Sequence, residues 1–376
     1  MQAIFVPSTK ELTRFFMLFL ALTVPALVAA PGSGKSGRLT SVGRMHDLRA
    51  SHTATLLPNG KVLIVGGFKK VRTSDQVYFN SAELYDPQTQ SFAATGNLNV
   101  ARCGHTATLL PDGTVLIAGG GNDAPLASAE LYDPHTGSFT LVGEMAVPRQ
   151  GHTATLLKDG NVLIVGASQS EKRSAEIFDT KTQRFKLTGV SAMARVENTA
   201  TLLPDGRVLI AGGAIKEGSR WKVLSSAELY DPQKGTFVST GNMTMVRYKH
   251  GAILLPDSAV LIVGGSDERD WQGQYNTAEF YDTKHGTFSR LEDMKGKRFK
   301  LPNGISLLND GAALISGGSN QVEVYDPRRK AFSSVATFKE PRFFATATLL
   351  PDGSVLITGG YNTQVQSTDD AYVYKQ

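Results

Sequence analysis

From residue 37 onward the chain is a succession of short apolar runs separated by clusters of Gly, Pro, Asn and Asp. The runs recur in a fixed order. One copy reads ARCGHTATLLPDGTVLIAGG and then ASAELYDPHTGSFTLVGEM. The first half of the pattern ends at Gly66-Gly67, Gly119-Gly120, Gly166-Ala167, Gly212-Gly213, Gly264-Gly265, Gly317-Gly318 and Gly359-Gly360, which makes seven copies. A period of this size marks a repeat architecture, so the length is not read as a count of domains.

Each copy predicts four strands. The first is HTATLL-like, as at His52, His105 and His152; the second is a continuous apolar run such as Val62 to Val65. Continuous apolarity over so few residues predicts a strand covered on both faces. The third strand is AELYD-like (Ala82 to Asp86, Ala227 to Asp231), and the fourth centres on Phe92, Phe139, Phe185, Phe237, Phe288 and Phe332. Turns such as Pro58-Asn59-Gly60 and Pro111-Asp112-Gly113 join the first two strands, and Asp-Pro turns such as Asp86-Pro87 join the last two. Pro presets φ, Asp favours the turn, and Gly takes φ > 0. Tight turns of this kind predict an antiparallel meander. One such sheet cannot cover both its faces, but seven stacked radially can. The predicted fold is therefore all-β, a seven-bladed β-propeller spanning residues 37–376. Ala371 to Tyr374 forms the third strand of the last copy, and its fourth strand is supplied by Gly37 to Met45 (GRLTSVGRM), which matches GSFTLVGEM at Gly137 to Met145.

Composition changes this picture little. Among 376 residues there are 38 glycines, and charged residues make up 19%, as suits a turn-rich globular β-protein. The single cysteine, Cys103, excludes an intramolecular disulfide. The net charge of +5 carries no long basic tract, which argues against nucleic acid and leaves room for an acidic partner. The first thirty residues stand apart: Lys10 and Arg14 precede the uncharged run Phe15 to Ala30. That is the pattern of a signal peptide (1–30), followed by a short linker (31–36). Sixteen residues are short for a membrane span, so the expected location is secreted or periplasmic. AAPGSGKS at Ala29 to Ser36 fits a loose phosphate-loop pattern but lacks the preceding strand and following helix that such a loop requires.

The double glycine, the AELYDP segment and the aromatic on the fourth strand resemble kelch repeats, and the wording resembles bacterial exported kelch proteins and the galactose-oxidase-like kelch propeller. The resemblance covers nearly all of residues 37–376. Phe stands where many kelch repeats have Trp. Galactose oxidase implies copper held in part by adjacent Tyr and His. The nearest match here is Tyr248-Lys249-His250, so no copper site, other metal or cofactor is expected.

Turns one-to-two and three-to-four are short and uniform, whereas the two-to-three loops vary. Residues 68–80, 214–225 and 266–276 are long inserts, and function concentrates on variable loops of a rigid scaffold. The candidate ligand-binding residues are accordingly Arg72, Arg220, Trp221, Arg269, Trp271 and Tyr275, aromatic and basic groups suited to sugars, acidic ligands or a protein partner. A cation recurs before strand one (Arg49, Arg102, Arg149, Arg195, Arg247, Lys300, Arg342), and an acid recurs on strand three (Glu83, Glu130, Glu176, Glu228, Glu279, Glu323). The two sets read either as structural ion pairs or as an anion-binding ring. Blade seven has Tyr372 where the acid belongs, so Arg342 is the expected unpaired cation and a further ligand-binding candidate. The histidines His52, His105, His152 and His250 share one repeat position, which fits hydrogen-bonded packing better than zinc.

Two functions remain. The favoured one is a non-catalytic, monomeric, extracytoplasmic module binding a protein or glycan, with no catalytic residue assigned. The alternative is an enzyme acting on an acidic sugar at the channel mouth. Its candidates, Glu217, Asp267, Glu268 and Asp270, form no recognisable constellation.

Overall fold

The computed structural model describes residues 37–71, 75–166 and 174–376. The expected signal peptide and linker, and the candidate Arg72, lie outside the described residues. Seven four-stranded antiparallel sheets are present. Blade 1 is built from Thr53–Leu56, Val62–Val65, Ala82–Asp86 and Ser91–Ala94, and blades 2 to 6 repeat this order. In blade 7 the strands Thr346–Leu349, Val355–Thr358 and Asp370–Lys375 are completed by Arg38–Arg44, with Leu39 opposite Tyr374 and Thr40 opposite Val373. Each innermost strand touches those of both neighbours, and the innermost strand of blade 7 touches that of blade 1, so the ring is closed.

The second strands explain why single blades cannot exist alone. Val62 and Ile64 pack into one cluster with Leu350, Leu356 and Val373 of blade 7, whereas Leu63 and Val65 pack into another with Val115, Ile117 and Tyr132 of blade 2. Alternate residues of one strand thus serve opposite neighbours, as the two-residue period requires. On the outer side the third-strand aromatic packs on the fourth-strand phenylalanine, at 5.0 Å for Tyr85–Phe92 and 4.8 Å for Tyr132–Phe139. Among the described residues, no helix is long and apolar enough to cross a membrane.

Candidate functional site

The recurrent cations are structural. Arg49, Arg102, Arg149, Arg195, Arg247 and Arg298 each hold a strand-three glutamate at 2.6–2.9 Å, with both groups buried. Each arginine also donates to a carbonyl of the glycine turn, as Arg49 does to Gly66 at 2.7 Å. Each glutamate in turn accepts a backbone N–H from the interblade connection, as Glu83 does from His46 and Glu323 from Lys295, both at 2.8 Å. One ion pair therefore ties three segments of the chain together. Burial lowers the pKa of each of these six arginines, and its glutamate works against that.

Two sequence expectations about this set are corrected. The blade 6 member is Arg298, not Lys300. Elsewhere the arginine precedes its acceptor glycine by seventeen residues, but Arg298 reaches Gly317 across nineteen, so counting back from the double glycine lands on Lys300. Arg342, expected to be unpaired, donates to Asp370 at 3.0 Å. Asp370 stands two residues before Tyr372, where blades 1, 2, 4 and 5 have Ser81, Ser128, Ser226 and Thr277 bonding the arginine. Arg342 is buried, with Phe338 and Tyr372 rings at 4.9 and 4.8 Å.

The histidines are interblade struts. His105 Nε2 lies 3.0 Å from Thr53 Oγ1 of the preceding blade, and His52, His152 and His250 repeat the contact. Burial, followed by the neighbouring arginine, depresses His52, His152 and His250 to about 3. Burial likewise pushes the Cys103 thiol up to about 12, which disfavours the thiolate that a nucleophile requires.

The channel is lined by innermost-strand Thr and Ala residues and encloses about 380 Å³. At its mouth, two residues beyond each lock arginine, stand Ser51, Gly104, Gly151, Glu197, Lys249, Lys300 and Phe344. All seven have φ between 53° and 66°. Each N–H donates to the carbonyl of the corresponding residue in the preceding blade, at 2.7–3.5 Å, and Ser51 closes the circle onto Phe344. The backbone ring is sevenfold, but its side chains are not. The five side-chain-bearing members fall in consecutive blades around the closed ring, and the four larger ones are Glu197, Lys249, Lys300 and Phe344. Gly151 makes room for the first of them, because a Cβ there would meet Glu197 Oε1 at 3.0 Å.

This arc is the asymmetric centre of the molecule. Lys249 Nζ pairs with Asp270 at 3.3 Å and lies 4.4 Å from the centre of Tyr248. Lys300 is 6% exposed. Its Nζ lies among three rings, 4.0 Å from the centre of Trp271, 4.6 Å from Phe299 and 5.7 Å from Tyr361. Among the described residues, neither Lys300 nor the Glu197 carboxylate has a direct ion-pair partner. Burial, then the Lys249 charge, lowers Lys300 to about 8, while Asp270 and Glu197 oppose the shift. Burial raises Glu197, against the pull of Lys249 and Lys300. For Lys249 burial is the largest influence, but Glu197, Tyr248 and Asp270 together outweigh it and its pKa is raised.

The sequence candidates divide around this centre. Trp271 belongs to it, packed edge-on against Phe299 and Phe343 at 5.0 and 4.8 Å and 36% exposed. Tyr275 lies under the Arg247 lock, 5.6 Å from its guanidinium. Arg269 is exposed and paired with Asp267 at 2.6 Å. Arg220 and Trp221 stand on a separate hairpin, Ala214–Glu217 with Arg220–Val223, where Trp221 is 46% exposed. That hairpin is tied to the blade 5 loop by Val223 N–H donating to Glu268 Oε1 at 2.9 Å. Sequence reasoning passed over Glu197, Lys249 and Tyr361. The signal was the residue two beyond each lock arginine, a position at which the copies disagree.

A closed ring of seven four-stranded antiparallel meanders around a channel defines a β-propeller. Two adjoining segments, residues 49–98 and 101–146, match the Kelch motif model, and together with the ring they support a kelch-repeat propeller. It is 25% identical over 148 residues to Kelch-like protein 38 of Rattus norvegicus and of Mus musculus, covering 39% of this chain and 24% of each relative. The matched region thus spans about a quarter of those relatives' length. Among solved structures it is similar to a fungal alcohol oxidase of the AA5 family in complex with copper. The TM-score is 0.71 and the identity 16%, over 91% of this chain and 76% of the other. The likeness lies in the fold. The mouth offers no fit for copper: the four histidine Nε2 atoms are engaged by threonines of neighbouring blades, and no group of three His, Cys, Asp or Glu suited to a metal exists among the described residues.

Proposed function

We propose that this kelch propeller is a monomeric, extracytoplasmic interaction module that binds a protein or glycan partner carrying an acidic group at the mouth of its channel. One observation carries the reading. The ring keeps its arginine locks in all seven blades, yet at the mouth, among the described residues, it leaves the Lys300 ammonium and the Glu197 carboxylate without a direct ion-pair partner. A buried charge lacking its counter-ion is costly to a fold, and an incoming partner relieves that cost. Trp271 supplies apolar area beside it, and Trp221 stands exposed on the hairpin tied to the Trp271 loop. The extracytoplasmic location rests on the Lys10, Arg14 and Phe15 to Ala30 pattern.

The test is an array of acidic glycans and acidic peptides probed with the wild-type chain and with the Trp221→Ala/Trp271→Ala variant. Binding by the wild type, weakened at least about tenfold in the variant, is expected. Equal binding by both proteins would contradict the assignment of the face.

A further inference from the structure

Glu197, Lys249 and Lys300 reach the mouth from the backbone ring, and Asp270 reaches it from the blade 5 loop. These two ammoniums and two carboxylates sum to zero. Among the described residues, Asp270 is the one acid in an ion pair with a ring lysine, its two oxygens lying 3.3 and 3.4 Å from Lys249 Nζ. The pair is unlike the six arginine–glutamate locks. Those span 2.6–2.9 Å, and their glutamates are at most 4% exposed. The Lys249–Asp270 contacts are longer, and the side chains are 16% and 35% exposed, with the acid on the outer side. The short helical turn Asp270–Gln272 has no buried residue, and Asp270 itself stands at φ 52°, a conformation that residues with side chains adopt rarely. A lock is built to stay shut, whereas this pair is loose, shallow and carried on a surface turn.

We propose that Asp270 is an internal stand-in for the ligand: it occupies the seat of an external carboxylate on Lys249, and a carboxylate-bearing partner binds by displacing it. This exchange rests on the binding at the mouth proposed above and names the group that the acid meets there. A third carboxylate entering beside Glu197 and Asp270 would set three negative charges against two ammoniums, whereas exchange keeps the sum at zero. A partly exposed ion pair is worth a factor of about five or less, so contacts of ordinary strength suffice to open the seat. Two groups stand ready to supply them. Tyr248 Oη lies 3.2 Å from the Lys249 ammonium, and Trp271, the next residue after Asp270, is 36% exposed. A neutral sugar or peptide brings no charge to replace that of Asp270 and leaves the pair closed. The internal acid therefore makes Asp270 a specificity-determining residue: it lowers the apparent affinity for every ligand by the fraction of molecules in which the seat is open, and only a ligand with its own carboxylate recovers the loss.

The experiment is calorimetric titration of the full chain and of Asp270→Asn with trigalacturonate, with a triglutamate peptide and with uncharged maltotriose. Asparagine keeps the shape of the side chain and removes its charge. An acidic probe should therefore bind the variant about fivefold more tightly than the wild type, with no such gain for maltotriose. The acidic probe that shows the gain identifies the source of the carboxylate as uronide or peptide. Hydrogen exchange of the wild type supplies a second readout that needs no variant. The N–H groups of Asp270 and Gly273 donate to Asp267 and Asp270 within the loop, and release of Asp270 should speed their exchange at saturating probe. A ligand resting on a loop that stays in place slows them instead. Equal or weaker binding by Asp270→Asn, or slower exchange of those amides in the probe-bound wild type, overturns the exchange and leaves binding at the mouth standing. Failure of both acidic probes to bind either protein overturns both. Because the exchange measurement is made on the wild type, a misfolded variant does not rescue the proposal.

Discussion

Replacing Glu323 with alanine tests the ion-pair lock at one of its fully buried members. Arg298 and Glu323 are both fully buried and 2.6 Å apart. The substitution leaves the guanidinium without its counter-charge and strips Lys295 N–H and Gly296 N–H of their acceptor. Removing one partner of a buried pair costs about 3–5 kcal/mol. For roughly 340 residues the unfolding entropy is about 0.7 kcal/mol per degree, so the melting temperature should fall by about 4–7 °C. Asp370→Ala removes the equivalent acid in blade 7, but Asp370 is one-third exposed and the loss should be about half as large or less. The double variant Arg298→Met/Glu323→Leu restores apolar packing without an orphan charge and should recover most of the loss. Differential scanning calorimetry of the four proteins reads all of this directly. A drop below about 1 °C for Glu323→Ala, or a double variant no better than the single, would refute the view that these pairs hold the blades together.

Other consequences are open to the same kind of measurement. His52, His152 and His250 have folded pKa values near 3 against 6.5 unfolded, so the unfolded chain binds more protons between those limits. Stability is then full above about pH 6.5 and falls as the pH drops toward 3, by up to about 1.4 kcal/mol per pH unit for each histidine. His105→Asn, the residue type that blade 4 carries at Asn198, should make the slope of chemical-denaturation stability against pH shallower by about that amount; an unchanged slope contradicts the strut assignment. Deleting residues 37–44 removes the fourth strand of blade 7, Val42 included, and uncovers its cluster partners Leu356 and Val373. The melting temperature should fall sharply, whereas an unaltered melt would show that closure by the N-terminal strand is not needed.

The fold was legible because its signals are local and repeated. Glycine turns, a fully apolar second strand and the Tyr–Phe pair of strands three and four occur in nearly every copy. The match of GRLTSVGRM to GSFTLVGEM was enough to place the closing strand. The lock was legible as a pattern but not as an assignment in the last two blades. Two extra residues in blade 6 shift Lys300 into the counted position, and in blade 7 the carboxylate comes from Asp370 rather than from the glutamate position. The mouth was the least legible. Glu197, Lys249, Lys300 and Phe344 are about fifty residues apart in sequence and are joined by backbone hydrogen bonds that leave no side-chain signature. Tyr361 was missed because the blade 7 loop between Gly360 and Asp370 was not counted among the inserts, although it packs on Phe343 at 5.7 Å.

The central claim is that binding occurs at the channel mouth, where the copies disagree, and not at the outer edges of the blades. The outer strands of blades 3 and 4 expose Leu187 and Val238, each 61% accessible, and are the natural comparison. The deciding measurement sets Lys249→Ala/Trp271→Ala beside Leu187→Ser/Val238→Ser on the same acidic glycan and peptide array. The account predicts at least about a tenfold loss of binding for the mouth variant and wild-type binding for the edge variant. The reverse pattern, or equal losses in both, would contradict it.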